Sequence, residues 1–374
     1  MVGGGDPLHV GVVVYGPLDE RSGGYLYDRR LVDHLVDCGL DVEVISIPDR
    51  PYRRTFATNL APGLVGRLRG CDVVIQDAYC HPSLLVCNRR VPETPVLALV
   101  HYLRSEAIGR PNRADAGGGW PSMGRPLRER VVTGIERAYL RSVDGYIHNS
   151  GATRDAVAAL VGRSPKDLTD VVAPPAGDRL GSGAPWSDER IRRDPARVLS
   201  VGNVTPRKGV TTLIEGLSRV DEPWELRVIG DTSVDPDYVA TAETLARERG
   251  VADRVSFLGR VDDDQLREAL DSAHLLAVPS RYEPFGIVYL EGMAFGLPAV
   301  ASTHGGASDF VDETNGALVP PEDPAAVAAA IKPLLRDRER LARMSRAARA
   351  TFDRHPTWSE TCERIRRFVV AVAD

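Results

Sequence analysis

The feature that most constrains the fold is a repeated alternation of short apolar runs with segments of helical spacing. Five such runs, rich in valine and isoleucine, occur in the first half, at residues 9–15, 41–47, 71–76, 95–100 and 144–150. Each run is apolar throughout rather than at every second position, which is typical of strands covered on both faces of a parallel sheet. The segment between the first two runs has helical spacing and ends at Gly39, a good C-terminal cap. The pattern predicts a series of βαβ units.

A second series of the same kind follows a segment rich in proline and glycine. That segment, residues 173–197, breaks the alternation and is predicted to be a linker. The apolar runs beyond it lie at residues 197–202, 225–230, 254–259, 274–280, 298–302 and 316–320. A chain of 374 residues is too long for one ordinary core. We therefore predict two doubly wound α/β domains, residues 1–175 and 176–355, with a ligand-binding cleft between them.

Composition and charge exclude several classes of protein. The formal net charge is −5, whereas a nucleic-acid-binding protein is usually basic. The five cysteines form no C-x-x-C pair, which favours reduced thiols in the cytoplasm. No apolar run reaches the roughly 18 to 20 residues of a membrane-spanning helix, and the N terminus leads into a strand pattern rather than a signal peptide. We expect a cytoplasmic protein with no nucleic-acid partner. Peripheral contact with the inner face of the membrane stays open, although no clear amphipathic basic helix supports it.

Two cations stand at a predicted strand-to-helix corner in the second half. The run "SVGNVTPRKGVTTLIEGL" predicts a strand that ends at Gly202 and a helix that begins near Gly209. Arg207 and Lys208 therefore lie beside a helix N terminus, where backbone N–H groups and the helix dipole favour an anion. A guanidinium and an ammonium would add charge for phosphate oxygens. The alternative is an ordinary basic pair on the surface.

Two glutamates flank a second predicted helix start, in the run "VPSRYEPFGIVYLEGMAFGLPAV". Pro284 suits an early helical position, and Gly286 would let a ligand approach the backbone amides. Glu283 and Glu291 are eight residues apart, which is roughly 12 Å along one helix, and each carboxylate accepts two hydroxyl donors. This spacing favours a ligand with hydroxyl groups at both ends and a diphosphate between them. The alternative is that both glutamates cap or solvate the helix.

Together these motifs resemble the retaining glycosyltransferases of the large family 4, which have the GT-B fold. Three segments carry the resemblance, in this order: "NVTPRKGV", "RYEPFGIVYLEGMAFGLPAVASTHGG" and "NGALVPPEDPAAVAAAI". The resemblance covers most of residues 195–350 and is looser over residues 1–170. It implies two Rossmann-like domains facing across a cleft, with the acceptor bound by the first and the donor by the second. It also implies that the C-terminal helix, residues 356–374, packs back on the first domain.

The resemblance implies roles for the charged side chains of the second domain. Glu283 would hold hydroxyls of the donor sugar, and Glu291 would hold the ribose. Arg207 and Lys208 would neutralise the diphosphate leaving group.

Further donor contacts would come from the backbone and from a strand end. The amides that would bond the donor phosphate and sugar are those of Phe285, Gly286 and Ile287. The strand end that would flank the base comprises Leu258, Gly259 and Arg260. The chain departs from the family at Asn203, where many members carry an arginine.

In the first half, two glycines and a histidine are the candidate site residues. Gly23 and Gly24 precede a predicted helix and would allow close approach of a ligand to the backbone. They do not form the dinucleotide fingerprint G-x-G-x-x-G. The resemblance places this turn where the diphosphate and acceptor meet, and it places His101 beside the donor sugar near the reacting carbon. The alternatives are an ordinary flexible turn and a histidine bonded into the sheet edge.

The predicted activity is transfer of a sugar from a nucleoside diphosphate sugar to an acceptor hydroxyl, with retention. The acceptor would be a glycan, a glycolipid or a small molecule. Members of this fold class generally lack a bound metal, and the acidic triplet at residues 262–264 is interpreted as charge at a helix N terminus. We therefore expect no metal or cofactor. The alternatives are a non-catalytic sugar-nucleotide-binding protein and a GT-B relative such as a phosphorylase or epimerase. The long, glycine-rich stretch at residues 104–130 is predicted to be a flexible loop near the cleft.

Overall fold

The chain forms two compact α/β units. The structure, a computed structural model, describes residues 7–19, 23–108, 125–183 and 188–374. The first unit comprises Met1–Pro175 with Trp358–Asp374, and the second comprises Ala176–Thr357. The C-terminal segment therefore belongs to the first unit.

A six-stranded parallel sheet, in the order β2-β1-β3-β4-β5-β6, forms the centre of the first unit. Its strands are β1 His9–Tyr15, β2 Asp41–Ile47, β3 Val73–Asp77, β4 Val96–Val100, β5 Gly145–His148 and β6 Asp170–Val172. The five strands predicted for this half are confirmed. Strand β6 was not predicted, because it has only three residues, all of them half-buried at the edge of the sheet.

In the described part of the first unit, the helices that precede the second unit are α1 Gly23–Asp37, α2 Tyr52–Thr55, α3 Pro62–Arg69, α4 His81–Asn88, α5 Arg104–Ile108, α6 Arg125–Leu140 and α7 Gly151–Val161. Helices α5 and α6 lie in the stretch predicted to be a flexible loop, so that prediction is wrong for its two ends. The rest of that stretch, residues 109–124, lies outside the described residues.

A second six-stranded parallel sheet, in the order β12-β11-β10-β7-β8-β9, forms the centre of the second unit. Its strands are β7 Ala196–Val201, β8 Trp224–Ile229, β9 Val255–Gly259, β10 Leu275–Ala277, β11 Ala299–Ser302 and β12 Gly316–Val319. All six predicted strands are present. Strand β10 is shorter than predicted because the N–H of Ser280 turns back to the carbonyl of Val278, at 2.7 Å.

The described helices of the second unit are α8 Asp188–Arg192, α9 Val210–Leu217, α10 Pro236–Glu248, α11 Asp263–Ser272, α12 Ile287–Ala294, α13 Pro324–Arg336 and α14 Arg338–Arg354. Buried side chains of α9 and α13 cover one face of the sheet, and those of α11 and α12 cover the other. The acidic triplet starts α11, where Asp262 and Gln265 form a capping box. The interpretation of this triplet as a helix start is confirmed.

The predicted linker is largely part of the second unit. Its residues form α8 and a 3₁₀ turn, Asp178–Leu180, that packs on α12. Gly177 permits this packing, because a Cβ at that position would lie 2.6 Å from the Cβ of Leu290. The prediction of a linker over residues 173–197 is therefore wrong beyond its first few residues.

The chain ends in helix α15, Trp358–Ala373, which packs within the first unit beside α1. The ring of Trp358 lies edge-on to Tyr27, with centroids 5.5 Å apart. The hydroxyl of Thr361 donates to the carbonyl of Pro174 at 2.7 Å, and His34 lies 3.4 Å from Glu363. In the ranges that the structure describes, no helix is both long and apolar enough to span a membrane.

Candidate active site

The strand-to-helix corner after β7 packs directly against the loop that follows β10. Residues Pro206–Lys208 form a 3₁₀ turn, and Gly209, in the left-handed region with φ 70°, starts α9. A Cβ on Gly209 would lie 2.2 Å from the carbonyl oxygen of Pro279. Only glycine fits this approach, which brings Lys208 beside the loop that carries Glu283.

Three donors converge on one carboxylate oxygen of Glu283. Lys208 Nζ donates to Oε2 at 2.6 Å, and Ser280 Oγ donates to the same atom at 3.1 Å. Arg207 Nη1 lies 3.5 Å from it and donates to the carbonyl of Tyr282 at 3.2 Å. Oε1 of Glu283 has no partner among the described residues. One carboxylate oxygen is therefore fixed by the protein, and the other remains for a ligand.

Glu283 is an ionised carboxylate in this environment. Burial raises the pKa of Glu283, but the Lys208 ammonium, the Arg207 guanidinium and the bond from Ser280 outweigh it and bring the pKa to about 2. Burial lowers the pKa of Lys208, an effect that Glu283 partly offsets. The result is a buried ion pair, with Glu283 7% and Lys208 9% exposed.

The loop after β11 fixes the backbone of Glu283. The N–H of Glu283 donates to the carbonyl of His304, and the N–H of Gly306 donates to the carbonyl of Glu283, both at 3.1 Å. Glu283 and Gly305 form an isolated parallel bridge. The position of the carboxylate therefore depends on a loop more than twenty residues further along the chain.

The start of α12 differs from the prediction. Gly286 occupies the N-cap in the left-handed region, with φ 94°, and the helix begins at Ile287. The prediction that Pro284 lies in the helix is wrong, because the bridge between Glu283 and Gly305 holds that stretch in an extended form. Glu283 and Glu291 do not share one helix, so the 12 Å estimate does not apply.

The three backbone amides predicted to bind the donor lie at this helix start. The N–H of Tyr289 makes a bond to the carbonyl of Gly286, at 3.0 Å. The amides of Gly286 and Ile287 occupy the N-cap and the first helical position, where helix N–H groups have no intrahelical acceptor, and the amide of Phe285 lies one residue before the cap.

Glu291 is paired with an arginine that was not among the predicted site residues. Arg179 Nε donates to Glu291 Oε1 at 2.9 Å, and Arg179 Nη1 donates to Asp263 Oδ1 at 2.7 Å. Burial raises the pKa of Glu291, and Arg179 offsets part of that effect. Arg179 lies in the stretch predicted to be a linker, so no local pattern marked it.

The ends of β7, β8 and β9 are joined by backbone hydrogen bonds. The N–H of Gly202 donates to the carbonyl of Ile229 at 2.8 Å, and the N–H of Gly230 donates to the carbonyl of Gly259 at 2.9 Å. The corner that holds Lys208 therefore lies on the same edge of the sheet as the predicted site residues Asn203, Leu258, Gly259 and Arg260.

The side chains along this edge differ in their environments. Asn203 and Leu258 are exposed, and Arg260 donates to Asp231 Oδ2 at 2.6 Å. Arg260 is therefore already paired in this structure.

In the first unit, the structure brings His101 and Gly24 together. Gly23 and Gly24 form the first turn of α1 rather than a turn before it, so that part of the prediction is wrong. A Cβ on Gly24 would lie 3.5 Å from the ring of His101. His101 Nε2 forms a hydrogen bond with Asp28 Oδ1 at 2.9 Å. Asp28 was not among the predicted site residues, although its i, i+4 spacing from Gly24 places the two on one helix face.

The sequence has recognisable relatives. Residues 187–351 match the family described as "Glycosyl transferases group 1". Over 323 residues, the chain is 30% identical to the glycogen synthase of Mycobacterium tuberculosis (strain CDC 1551 / Oshkosh), covering 82% of this chain and 75% of the relative.

The fold also matches solved structures. A sucrose-phosphate synthase from Thermosynechococcus elongatus superposes with a TM-score of 0.77 at 20% identity, covering 98% of this chain and 99% of the other. HepE from Anabaena, solved in complex with UDP-glucose, gives a TM-score of 0.73 at 19% identity, covering 97% and 100%. At these identities the likeness shows the fold alone. It confirms the predicted GT-B fold with two Rossmann-like domains.

Proposed function

The chain belongs to the glycosyl transferases group 1 family and is a glycosyltransferase, and from that premise we propose that its donor is a nucleoside diphosphate sugar and that transfer proceeds with retention. The observation that carries the proposal is the convergence of Lys208, Arg207 and Ser280 on a single oxygen of Glu283. The site thereby offers cations for a diphosphate and a carboxylate oxygen for sugar hydroxyls.

The cations account for departure of the leaving group. As the bond between the anomeric carbon and the phosphate oxygen breaks, negative charge grows on the diphosphate. Lys208 and Arg207 lie at a helix start, and both are held in place before reaction by Glu283. Groups that are already oriented need no reorganisation as the charge develops, which makes this kind of stabilisation effective.

Glu283 suits the role of binding the sugar better than that of a nucleophile. Three donors already bond or face Oε2, which lowers its reactivity, and Oε1 remains to accept hydroxyl protons. Retention would then follow because the acceptor attacks the anomeric carbon on the same face from which the phosphate departs. The acceptor proton passes to a phosphate oxygen of the leaving group. This proposal requires no metal ion, because the side chains and the helix start supply the positive charge.

The names of the relatives decide which substrates to test first. One relative is named a glycogen synthase, and one structural neighbour was solved with UDP-glucose. A glucan acceptor with UDP-glucose is therefore the first pair to assay, followed by other nucleotide sugars and by glycolipid and small-molecule acceptors.

The decisive test combines product analysis with stereochemistry. We expect sugar transfer from one nucleoside diphosphate sugar, with release of the nucleoside diphosphate, and proton NMR should show the donor's anomeric configuration kept in the product. An inverted product would overturn retention. Binding of nucleotide sugars without turnover across the acceptor panel would instead support a sugar-nucleotide-binding protein. Release of a sugar phosphate or of an epimerised nucleotide sugar would indicate a phosphorylase or an epimerase.

A second prediction concerns Arg179 and Glu291. If Glu291 holds the ribose, Arg179→Ala should weaken binding of the product nucleoside diphosphate about tenfold, because Glu291 loses the partner that orients it. The loss should be much smaller for the 2′,3′-dideoxy nucleotide, which lacks the hydroxyls. Calorimetry with both nucleotides measures this difference.

Asp263→Ala is the matched control for Arg179→Ala. This substitution removes the carboxylate of Asp263, which is the more exposed of the two partners of Arg179, and leaves the bond from Arg179 to Glu291. Binding of both nucleotides should change less than threefold in this variant. Equal losses for the two nucleotides in Arg179→Ala would contradict the ribose role.

A further inference from the structure

A histidine, a cysteine and a glutamate meet at the surface of the first unit. His34 lies in the last turn of α1, Cys38 follows that helix directly, and Glu363 lies in α15. One ring nitrogen, the sulfur and one carboxylate oxygen all lie within 4.8 Å of one another. Because α1 and α15 both belong to the first unit, this cluster joins two helices that are distant in sequence but packed together.

Helical spacing brings the first two side chains to one face. The N–H of Cys38 donates to the carbonyl of His34 at 3.0 Å, which continues the hydrogen bonding of α1 by one residue. Side chains four positions apart on a helix are neighbours. Gly39, with φ 83°, then turns the chain away. His34 and Cys38 therefore stand side by side where α15 passes.

The distances within the cluster match those of a tetrahedral zinc site. Cys38 Sγ lies 3.6 Å from His34 Nε2, and Glu363 Oε2 lies 3.4 Å from the same nitrogen. Zinc binds sulfur at about 2.3 Å and nitrogen or oxygen at about 2.0–2.1 Å, so tetrahedral ligand atoms are separated by about 3.4–3.6 Å. The sulfur and the oxygen lie within 4.8 Å of each other. Both side chains are accessible to solvent, and a small rotation of either one closes this third edge.

Hydrogen bonds alone use this arrangement poorly. The thiol of Cys38 and the carboxylate of Glu363 both address Nε2 of His34, a single atom that carries either a proton or a lone pair. With the proton it donates to the carboxylate, and with the lone pair it accepts from the thiol. A catalytic triad requires partners on two different ring nitrogens. A cation placed between the three atoms bonds all of them at once.

We propose that His34, Cys38 and Glu363 bind a zinc ion through Nε2, Sγ and Oε2, with a water molecule as the fourth ligand, and that this ion joins α15 to α1. On binding, the thiol proton of Cys38 passes to solvent and Nδ1 of His34 keeps its proton. Imidazole and thiolate favour zinc over magnesium or calcium, which prefer oxygen ligands alone.

The zinc site is structural and separate from sugar transfer. His34 lies ten residues beyond Gly24, which is roughly 15 Å along α1, so the ion takes no part at the candidate residues near the helix start. No metal was expected from the sequence, because His34 and Glu363 are 329 positions apart and no local spacing shows them together.

Two arginines moderate the affinity of the site. Arg366 donates to Glu363 through Nε to Oε2 at 2.7 Å and through Nη2 to Oε1 at 2.9 Å, and Arg367 Nε donates to Oε1 at 2.9 Å. These guanidinium groups hold the pKa of Glu363 well below its usual range, so the carboxylate is ionised. Arg366 also competes with the ion for Oε2 and repels it.

A second group of the same three residue types is less suited to zinc. His9 Nε2 lies 3.9 Å from Glu43 Oε2. The buried thiol of Cys71 donates to the carbonyl of Arg67 at 3.4 Å, and burial raises the pKa of this thiol to about 11. A buried, protonated thiol is a poor ligand. The exposed Cys38 is therefore the cysteine that zinc reaches.

Cobalt titration of the full chain tests the ligand set. The protein is freed of metal with EDTA, kept reduced and titrated with Co²⁺, and Zn²⁺ is then added. We expect one ion per chain, a thiolate-to-cobalt charge-transfer absorption and its loss on addition of zinc. Cys38→Ser should abolish the absorption. It should also fold, because Cys38 is exposed. No absorption in the wild type, or the same absorption in Cys38→Ser, would overturn the proposal.

Competition with a chromogenic chelator measures the other two ligands. His34→Gln and Glu363→Gln should each weaken zinc binding at least about tenfold, since even outer-shell partners of a metal ligand are worth this much. Asp33→Asn is the matched control. It removes one negative charge from an exposed position on α1 outside the cluster, and it should change the affinity less than twofold. Equal losses in Asp33→Asn and Glu363→Gln would indicate general attraction of cations and contradict the site.

Arg366→Gln gives a test with the opposite sign. It removes a positive charge and a competing donor from Glu363 Oε2, so zinc should bind about three- to tenfold more tightly. An affinity that stays the same or falls would overturn the role of Glu363 as a ligand.

The connection between the helices has its own measurement. Saturating zinc should raise Tm by roughly 2–5 °C and slow hydrogen exchange of the α15 amides. Neither effect should occur in Cys38→Ser, and effects of equal size in that variant would contradict the proposal. Sugar transfer by Cys38→Ser should stay within twofold of the wild type.

Discussion

Lys208→Ala should lower kcat/KM for sugar transfer by about a hundredfold to a thousandfold, the range seen when one oriented donor to a developing anion is removed. Lys208 is buried at the corner between β7 and α9, and its ammonium is held 2.6 Å from Glu283. Most of the loss should appear in kcat, since the charge on the leaving diphosphate grows only as the bond to the sugar breaks. Steady-state kinetics with the best donor measure this effect.

The chain offers a matched control for this substitution. Lys332 also donates to a carboxylate, Asp221, at 2.9 Å, but that pair lies on the surface. Lys332→Ala should therefore leave kcat/KM within twofold of the wild type, and it should leave the stability of the fold almost unchanged, because exposed ion pairs contribute little. A similar loss of activity in both lysine variants would show a general effect of charge and would contradict a special role for Lys208.

The partner substitution needs a conservative variant. Glu283→Ala would leave the Lys208 ammonium buried without its carboxylate, which costs about 3–5 kcal/mol when one partner of a buried pair is removed. Glu283→Gln keeps the shape of the side chain and an oxygen that accepts from Lys208. It should fold, yet lose at least tenfold in kcat/KM because the ionised oxygen for the sugar hydroxyls is gone. Near-normal turnover in both Lys208→Ala and Glu283→Gln, with the fold intact, would refute the assignment of this site.

Local patterns were sufficient for the strands and for the ion-pair corner. The valine-rich runs predicted eleven of the twelve strands that the structure describes, because a strand covered on both faces must be apolar throughout. The site at Arg207 and Lys208 could be predicted because the turn, Gly209 and the helix that orient these side chains are consecutive in sequence.

Contacts between distant parts of the chain were beyond those patterns. Arg179 meets Glu291 across 112 positions, and nothing in the sequence around it distinguishes it from the other arginines. The start of α12 was misplaced for the same reason. Pro284 is a favourable first helical residue. The bridge between the preceding residue, Glu283, and Gly305 nevertheless holds this stretch outside the helix. Tertiary contact outweighed local preference at the residues nearest the proposed chemistry.

Gly305→Ala should be among the most damaging single substitutions in the second unit. Gly305 has φ 119° and ψ −161°, a region that is essentially restricted to glycine. A Cβ there would lie 1.8 Å from the carbonyl oxygen of Glu283, a backbone atom that cannot rotate away. Strain and overlap together should cost about 3–5 kcal/mol. Movement of Glu283 should also lower kcat/KM at least tenfold under conditions where the variant is folded. Denaturant unfolding and steady-state kinetics measure the two effects separately.

Gly250→Ala is a control that places alanine at a positive φ without any contact with Glu283. Gly250 follows α10 in the same unit and has φ 68°, and a Cβ at this position would meet no other atom within 4 Å. The alanine should therefore cost only the left-handed penalty of about 1–2 kcal/mol and leave kcat/KM unchanged. Both variants place alanine at a positive φ, but the backbone conformation of Gly305 is the more restricted. An additional loss of stability in Gly305→Ala therefore reports the greater strain together with the collision, and a loss of activity in that variant alone reports movement of Glu283. If the two variants lose equal stability and Gly305→Ala keeps its activity, the loop after β11 does not hold the carboxylate in place, and the proposed geometry of the sugar site is wrong.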